Sequence, residues 1–292
     1  ARARVIVENA PEAVIMIDMD TGLFIEPNEN ALQLYGLNKS EILKVGPADL
    51  SPEKQPDGSI SKDLAVKKIQ MALDGDTPVF EWTHLHAKGH EVFSEVRLVQ
   101  LPDATRTLIR ASIVDIAERK HNELIQIAIS TISNAALDTS SPEELIKRIH
   151  QVVGTLMPAD NFYIALYEEV QDLLNFPYYV DEHDTAWAPQ KPGKGLTSYV
   201  LRTGIPLLAT DKTLDALEAT GEVAAGGSRG VDWLGVPLKV GDKPMGVMAI
   251  QSYNPEIRLT EQNRDTLAFI GSQVSSALEN KQAELELRTL FS

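Results

Sequence analysis

The chain contains no cysteine among its 292 residues. Disulfide bonds, thiolate nucleophiles, iron–sulfur clusters and zinc sites with sulfur ligands are therefore excluded. Flavin or bilin photochemistry that depends on a covalent cysteine adduct is excluded for the same reason. What remains is non-covalent binding, metal sites built from oxygen and nitrogen ligands, and acid–base chemistry.

Basic residues are also scarce. The chain has 27 lysines and arginines against 42 aspartates and glutamates, which gives a net charge of -15. Binding to a phosphate backbone requires clustered lysine and arginine side chains. We therefore expect no nucleic-acid partner.

Long apolar runs are absent as well. No run approaches the roughly 18 to 20 residues that cross a bilayer, and no signal-peptide pattern opens the sequence. We expect a cytoplasmic chain without direct membrane contact. Because the first residue is Ala1 and not methionine, we also expect a piece of a longer or processed protein.

The length and the first half of the pattern indicate a two-domain chain. Domains typically contain roughly 100 to 150 residues, so 292 residues predict two cores. Apolar runs at 14–17 and 23–25 flank a turn, and short helical stretches follow them. Alternation with a period of two then marks three strands between residues 79 and 114. This order predicts one antiparallel sheet with helices against it.

The second half repeats this plan. The sequence Ser-Pro-Glu-Glu at 141–144 provides the cap, the first-turn proline and the capping-box glutamate of a helix that runs to Met157. Strand patterns follow at 162–167, 173–180, 206–209, 233–238 and 246–250. The glycine-rich segment 211–230 indicates irregular structure. The predicted fold class is α+β, with two antiparallel-sheet domains joined and followed by long, partly coiled-coil helices.

The first of these long helices connects the two domains. It begins at a capping box formed by Asp115 and Glu118. Apolar residues then recur at spacings of four, three and four, as in a short coiled-coil seam: Ile125, Ile129, Ile132 and Ala136. Such a helix links domains stiffly.

The last helix is predicted to project from the second domain. It begins at a Thr260 cap, and its apolar pattern persists to Leu285 and Phe291. About thirty residues at 1.5 Å each span about 45 Å, more than the width of a small domain. A projecting apolar stripe needs a partner, most simply the same helix of a second copy. We therefore predict a homodimer through helices, with signal transmission and dimerisation assigned to Asp115, Ile125, Ile129, Ile132, Val274, Leu278 and Leu285.

Residues 10–120 resemble a PAS domain. The resemblance rests on the segments 9–14, 20–22, 80–82, 88–89 and 115–120, together with Asn28 and Ala31. The last segment, Asp-Ile-Ala-Glu-Arg-Lys, is similar to the family's Asp-Ile-Thr-Glu-Arg terminus, with Ala117 in place of the usual threonine.

Residues 138–280 resemble a GAF domain. The matching segments are 161–166, 195–197, 233–238 and 246–253. The implied organisation is a PAS-like sensory domain at 1–120, a connecting helix at 121–137, a GAF-like sensory domain at 138–280, and a C-terminal helix at 281–292 that leads to an output domain in cis.

The resemblance implies a non-catalytic sensory fragment of a bacterial signalling protein. In such a fragment a ligand shifts the connecting helices between two packings, and a downstream histidine kinase or diguanylate cyclase responds. Heme-binding PAS domains place their iron ligand in the helix that corresponds to 61–74, which contains no histidine, so heme is not expected. A non-covalent flavin or another small molecule stays open.

Two polar clusters have both a functional and an ordinary interpretation. His84, His86 and His90 could ligate a metal, but a turn at 88–89 predicts a hairpin tip where histidines are commonly solvated. The Asp-Glu-His-Asp sequence at 181–184 could perform acid–base chemistry, or it could be a solvated acidic loop.

Aromatic residues supply the surface that a ligand pocket needs, although core packing explains each of them equally well. Asn28, Ser94 and Thr197 are polar candidates beside such pockets, with caps or turns as the alternative. The predicted ligand-binding residues are Asn28, Trp82, Ser94, Tyr163, Tyr178, Trp187, Thr197 and Trp233.

Two other functions stay open at this point. The fragment could be a structural dimerisation and spacer module whose cores are sealed. It could also be an enzyme that uses the 181–184 loop, although the reductase chemistry known for the GAF fold depends on cysteines that this chain lacks.

Overall fold

The computed structural model of the chain describes residues 7–224 and 226–290, without the side chains of the last two. Phe291, which the sequence pattern places in the last apolar stripe, lies outside the described residues. The chain divides into two compact units between His121 and Asn122. Among the described residues, no helix has the length and apolar character needed to span a membrane.

The first unit is one five-stranded antiparallel sheet with helices on one face. Its elements are β1 (Ala13–Asp18), β2 (Leu23–Ile25), α1 (Glu29–Tyr35), α2 (Lys39–Ile42), α3 (Ser61–Leu73), β3 (Val79–Leu85), β4 (Glu91–Leu101) and β5 (Leu108–Asp115). The strand order is β2-β1-β5-β4-β3. Alternating residues of the strands, such as Ile15, Ile17 and Val96, form the core with Tyr35 of α1.

The second unit also contains a five-stranded antiparallel sheet, and apolar side chains cover both of its faces. Its elements are α4 (Ala117–Asp138, which starts in the first unit), α5 (Pro142–Gly154), β6 (Asn161–Glu168), β7 (Leu173–Val180), α6 (Leu196–Thr203), β8 (Leu207–Thr210), α7 (Asp211–Ala219), β9 (Asp232–Val240), β10 (Lys243–Ser252) and α8 (Glu261–Leu290). The strand order is β7-β6-β10-β9-β8, antiparallel throughout. The α+β class with two antiparallel sheets is confirmed.

The second sheet separates two apolar clusters. The larger one joins the strands to α4, α5 and α8, for example through Ile149, Leu234 and Val274. The smaller one lies on the other face and contains Tyr163 and Trp233. Side chains on a strand alternate between faces, so neighbouring residues of β9 belong to different clusters.

Residues 211–230 are not wholly irregular, as the glycine content had indicated. The helix α7 occupies the first part of this segment. Its sequence has an aspartate in the first turn and good helix formers such as Leu214 and Ala216, whereas the glycines are confined to 221–230. The prediction was wrong for 211–219, because the glycines that indicated irregular structure all lie after this helix.

The buried stripe of α4 differs from the predicted seam. Ile125 and Ile132 are buried, but the positions between and beyond them are filled by Ala128 and Ala135. Ile129 and Ala136 are only half-buried. Ala128, Ile132 and Ala135 pack into the chain's own core, so the stripe is already covered within this chain.

The apolar residues of α8 become more exposed toward the end of the helix. Val274 and Leu278 are buried in the second unit's own core, and Leu285 is half-buried. Leu287 is exposed. The coiled-coil pairing of these helices therefore stays a prediction.

Asn28 holds three segments of the first unit together. Its buried side-chain oxygen accepts hydrogen bonds from the backbone N–H groups of Val14 and Ala31, both at 2.9 Å. Its amide nitrogen donates to the carbonyl oxygens of Val7 and Glu12, at 3.1 and 3.0 Å. Asn28 is therefore the N-cap of α1 and also fixes the start of β1.

We expect Asn28→Ala to destabilise the first unit by about 3 kcal/mol, because two buried N–H groups lose their acceptor. Urea unfolding followed by hydrogen exchange at peptide resolution measures each unit separately. Asn30→Ala is the matched control, since Asn30 only donates to Ala10 and Pro11 at the surface. Equal unfolding midpoints for the two variants would contradict this role of Asn28.

Candidate ligand-binding site

The second unit contains a cavity of about 480 Å³ on the face of the sheet opposite α5 and α8. Its walls come from β6, β7 and β9, from the start of α6, and from α7 with the segment that follows it. Cavities that bind small molecules typically enclose about 300 to 1,000 Å³. The size is therefore that of a small-molecule site.

One wall of this cavity is aromatic. The rings of Tyr163 and Tyr179 stack with their centroids 5.2 Å apart and their planes at 19°. Phe176 lies 6.1 Å from Tyr163 and 6.3 Å from Trp187. All four residues line the cavity, so a flat or apolar ligand would meet a continuous aromatic surface.

A short chain of hydrogen bonds crosses the floor of the cavity. The indole N–H of Trp233 donates to the hydroxyl oxygen of Tyr163 at 3.0 Å. The hydroxyls of Tyr163 and Thr197 are 2.8 Å apart, and either can donate. Burial raises the pKa of Tyr163 to about 12, although the bonds from Thr197 and Trp233 act in the opposite direction. The phenol therefore keeps its proton at neutral pH.

The start of α6 opens into the same cavity. Gly195 occupies the N-cap position and offers no side chain, so no side-chain oxygen caps this helix. The first N–H groups of a helix have no partner inside it, and here the residues that carry them, 196–198, line the cavity.

The segment from α7 to Gly230 closes one side of the cavity. None of the side chains of α7 is buried. Arg229 forms ion pairs with Asp211 (3.5 Å), Asp215 (2.5 Å) and Glu218 (3.8 Å), all at the surface. Exposed ion pairs contribute little stability in water, so these three pairs hold α7 only weakly.

The 181–184 loop borders the cavity, and hydrogen bonds hold it in place. Asp181 accepts from the backbone N–H groups of His183 and Asp184 and from the hydroxyl of Tyr253. Asp184 accepts from both the N–H and the hydroxyl of Ser228. The predicted free solvation of the loop is therefore wrong for Asp181 and Asp184, whose carboxylates anchor neighbouring segments.

The first unit has a much smaller cavity, of about 40 Å³. Trp82, His84 and Tyr35 line it together with apolar side chains. This volume accommodates about one water molecule, whose share of the liquid is about 30 Å³. It is well below the size of the cavity in the second unit.

His84 is the unusual group in the small cavity. The imidazole is buried on the core side of β3, and its Nδ1 lies 3.3 Å from the Tyr35 hydroxyl. No atom of the described residues is placed to form a hydrogen bond with its Nε2. Burial lowers the pKa of His84 to about 4, so this imidazole is neutral at pH 7.

Family comparisons identify both units. The family model described as "PAS fold" matches residues 7–121, and the model described as "GAF domain" matches residues 139–279. The chain is a tandem of a PAS domain and a GAF domain. No curated protein matches the chain at a significant level.

Solved structures resemble each domain. A PAS domain of an HTR-like protein from Haloarcula marismortui has 21% identity and a TM-score of 0.33, and covers 39% of this chain and 89% of its own. A GAF domain of an Acinetobacter phosphoenolpyruvate-protein phosphotransferase has 16% identity and a TM-score of 0.44, with coverages of 56% and 95%. The free methionine-R-sulfoxide reductase of Neisseria meningitidis, solved with its substrate, has 15% identity and a TM-score of 0.46, with coverages of 56% and 93%.

In the GAF domain, the cavity brings together four of the five residues that sequence reasoning selected: Tyr163, Trp187, Thr197 and Trp233. Tyr178 lies apart from them. Its hydroxyl is 2.9 Å from Nδ1 of His150 on α5, and its ring packs against the helical core.

Two aromatic cavity residues, Phe176 and Tyr179, escaped selection. A period of two that starts at Leu174 and Phe176 would place Tyr178 on the cavity side. The pairing of β6 with β7 shifts register between Ile164 and Leu166, and Pro177, which cannot donate to the ladder, stands opposite this irregularity. The shift exchanges the faces of Tyr178 and Tyr179, and Pro177 was the available signal.

In the PAS domain, only Trp82 of the three selected residues lines the small cavity. Ser94 is fully buried and donates to the carbonyl oxygen of Trp82 at 3.0 Å, and Asn28 is the cap described above. Sequence reasoning did not select Tyr35, and it named His84 only as a possible metal ligand. Trp82 and His84 are two residues apart on β3, so strand alternation places both on one face and was the available signal for the burial of His84.

The predicted hairpin-tip environment is wrong for His84 and fits the other two histidines. The rings of His86 and His90 stack with their centroids 4.2 Å apart. Because His84 is buried in the core, the three side chains do not converge. Among the described residues, no group of three or more histidine, aspartate or glutamate side chains has a metal-binding arrangement.

We expect the PAS domain to lose about 3 kcal/mol of stability as the pH falls from 6.5 to about 4. In this window the unfolded chain binds a proton at His84 and the folded chain does not, so protonation favours unfolding. His84→Gln keeps a polar partner for Tyr35 and removes this part of the pH dependence.

The measurement is urea unfolding of the PAS domain between pH 4 and 7, compared between the wild type and the variant. Carboxylates titrate in both proteins, so the difference isolates the imidazole. His90→Gln, at the exposed hairpin tip, is the control. The same pH slope in His84→Gln and in the wild type would show that His84 is not the titrating group.

Proposed function

We propose that this chain is a sensory module whose GAF cavity binds a small molecule and whose occupancy is transmitted through α8 to an output domain in cis. PAS and GAF domains are typical of signalling proteins, which supports a sensory role. The cavity of about 480 Å³ with its aromatic wall is the observation that carries the proposal. A histidine kinase or a diguanylate cyclase is the kind of output domain we propose.

The GAF domain is the proposed sensor because of its volume. Its cavity is about twelve times larger than the cavity of about 40 Å³ in the PAS domain. A ligand of ordinary size fits the first and would require the second core to expand. The PAS domain is then a partner in transmission, connected through α4, whose start is held by the bond from the Ala117 N–H to Asp115 at 2.8 Å.

Strand β9 supplies the route from the cavity to α8. Trp233 lines the cavity, while the next residue, Leu234, packs in the cluster that contains Val274 of α8. Further along the strand, the backbone N–H of Lys239 donates to the Ser275 hydroxyl on α8 at 2.9 Å. A displacement of β9 would therefore move α8 through these contacts.

The beginning of β9 is tied to the segment that precedes α8. The fully buried carboxylate of Asp232 accepts from Arg258 at 2.7 and 2.8 Å and from the N–H of Leu259 at 2.9 Å. Asp232 is the neighbour of Trp233, so one strand connects the cavity with both the start and the body of α8. We propose this as the path of transmission.

The 181–184 loop has a structural role in this proposal. The carboxylates of Asp181 and Asp184 already accept two or more hydrogen bonds each. These bonds tie both carboxylates to neighbouring segments, and such anchoring supports a structural role. We therefore propose no catalytic role for the loop.

The first test is native mass spectrometry of the purified chain, combined with a thermal-shift screen of metabolites. We expect either added non-covalent mass or at least one stabilising compound. Phe176→Ala, which removes part of the aromatic wall, should weaken binding of that compound roughly tenfold or more.

Phe93→Ala is the matched control, since Phe93 is an exposed phenylalanine of the PAS domain. It should leave the affinity unchanged. A chain without added mass that no compound stabilises would support the spacer function instead.

We also propose that the chain is a homodimer through the exposed sides of α4 and α8. Leu124 and Ile127 on α4 and Leu287 on α8 are exposed apolar residues, and burying them would be favourable. Leu278, in contrast, is 4% exposed, so a charge there would disrupt the GAF core and would not report on pairing.

We expect Leu124→Glu with Ile127→Glu to convert the dimer into a monomer, because two charges would enter the interface. Sedimentation velocity across a dilution series is the measurement. Val170→Glu is the control, since Val170 is exposed in the turn between β6 and β7 and lies on neither helix. A double variant that remains dimeric would exclude this face of α4.

A further inference from the structure

The hydrogen-bonded group on the floor of the GAF cavity has one donor proton that its own bonds do not use. Trp233, Tyr163 and Thr197 bring three protons, and the two bonds that connect them use two. Whichever hydroxyl donates in the Tyr163–Thr197 bond, the other keeps a proton without an acceptor in the network. Tyr163 is only 8% exposed and Thr197 is half-buried. Both line the cavity, so the molecule that occupies the cavity supplies the acceptor for this proton.

Ser198 adds a second unused proton. It is 7% exposed and lines the same cavity. Its hydroxyl oxygen accepts from the backbone N–H of Gly193 at 3.1 Å. This bond uses a lone pair and leaves the O–H proton available, and a buried donor without an acceptor is costly.

These hydroxyls lie beside a third source of donors. Thr197 and Ser198 are the second and third residues of α6, whose first turn has no side-chain cap. The unpaired N–H groups of that turn carry partial positive charge. Hydroxyl and backbone donors thus converge on one end of the cavity.

The nearby carboxylates do not supply the missing acceptor. Asp184 is engaged with Ser228, and Asp211 and Glu218 pair with Arg229. Lys191, Lys194 and Arg229 line the cavity together with the same number of acidic residues, and Lys194 already donates to the Gly221 carbonyl oxygen. The charges of the lining therefore balance, and the converging hydroxyl and backbone donors carry the preference for an acceptor. The acceptor is therefore expected from the ligand.

We infer that the ligand of the GAF cavity is a small aromatic carboxylate. Its carboxylate accepts from the Tyr163–Thr197 pair, from Ser198 and from the first turn of α6, and its ring lies against Phe176 and Tyr179. A carboxylate has two oxygens with about four lone-pair positions, which matches a cluster of converging donors. This inference rests on the proposed function of the cavity as a ligand site.

The test uses benzoate as the probe, with benzamide, benzylamine and cyclohexanecarboxylate as matched analogues, titrated calorimetrically into the full chain. Benzoate should bind most tightly. Benzamide should bind roughly tenfold more weakly, because charge-assisted hydrogen bonds are about twice as strong as neutral ones. Benzylamine should show no measurable binding, and cyclohexanecarboxylate should be weaker than benzoate because it lacks the flat ring.

Thr197→Val tests the donor end with an isosteric side chain. It should weaken benzoate binding roughly tenfold and change the affinity for toluene, which has no acceptor, by less than twofold. Thr203→Val is the control on the same helix, since the Thr203 hydroxyl donates to the Tyr199 carbonyl oxygen and does not line the cavity. Phe176→Ala should weaken both ligands, which separates the ring wall from the donor end.

The outcomes separate this inference from the proposed function. If benzylamine or benzamide binds as tightly as benzoate, or if Thr197→Val binds benzoate like the wild type, the carboxylate assignment is overturned while the cavity remains a ligand site. A copurifying ligand without a carboxylate, identified by its mass, overturns it too. If none of the probes binds but the metabolite screen finds a stabilising compound without a carboxylate, only the carboxylate assignment fails. If no probe binds, no ligand copurifies and no compound of the screen stabilises the chain, the proposed function fails together with it.

Discussion

Strand β9 belongs to two environments at once, and the organisation of the GAF domain depends on it. Trp233 faces the cavity and Leu234 faces the helical core. Asp232, immediately before them, is a buried carboxylate that pairs with Arg258 and accepts from the Leu259 N–H in the segment leading into α8. Because protein interiors are close-packed, a shift of this strand on one side of the sheet must be accommodated on the other.

Many elements of the fold could be predicted because their signals are local. The helix that starts at Pro142 has its cap at Ser141, whose hydroxyl accepts from the Glu144 N–H as the sequence indicated. The Glu144 side chain departs from the expected box, since it accepts from Ser140. Strand alternation likewise indicated both sheets, because a period of two depends only on which face is buried.

The candidate site was less predictable, because it depends on pairing between strands. The exchange of Tyr178 and Tyr179 follows from one register shift between β6 and β7, and alternation along a single strand does not reveal it. The stripe of α4 has a similar limit. Apolar residues at spacings of three and four serve a coiled coil and a domain's own core equally well, and the sequence alone does not distinguish Ile129 from Ala128 as the buried position.

The part of the cavity wall formed by α7 contributes no buried side chain to the domain. The ion pairs of α7 with Arg229 are at the surface. Substitutions on α7 are therefore expected to change the cavity wall with little effect on folding, whereas substitutions on β9 would affect both the cavity and the core. Under the proposed function, a change in α7 would alter which molecule the cavity accepts without disturbing the contacts between β9 and α8.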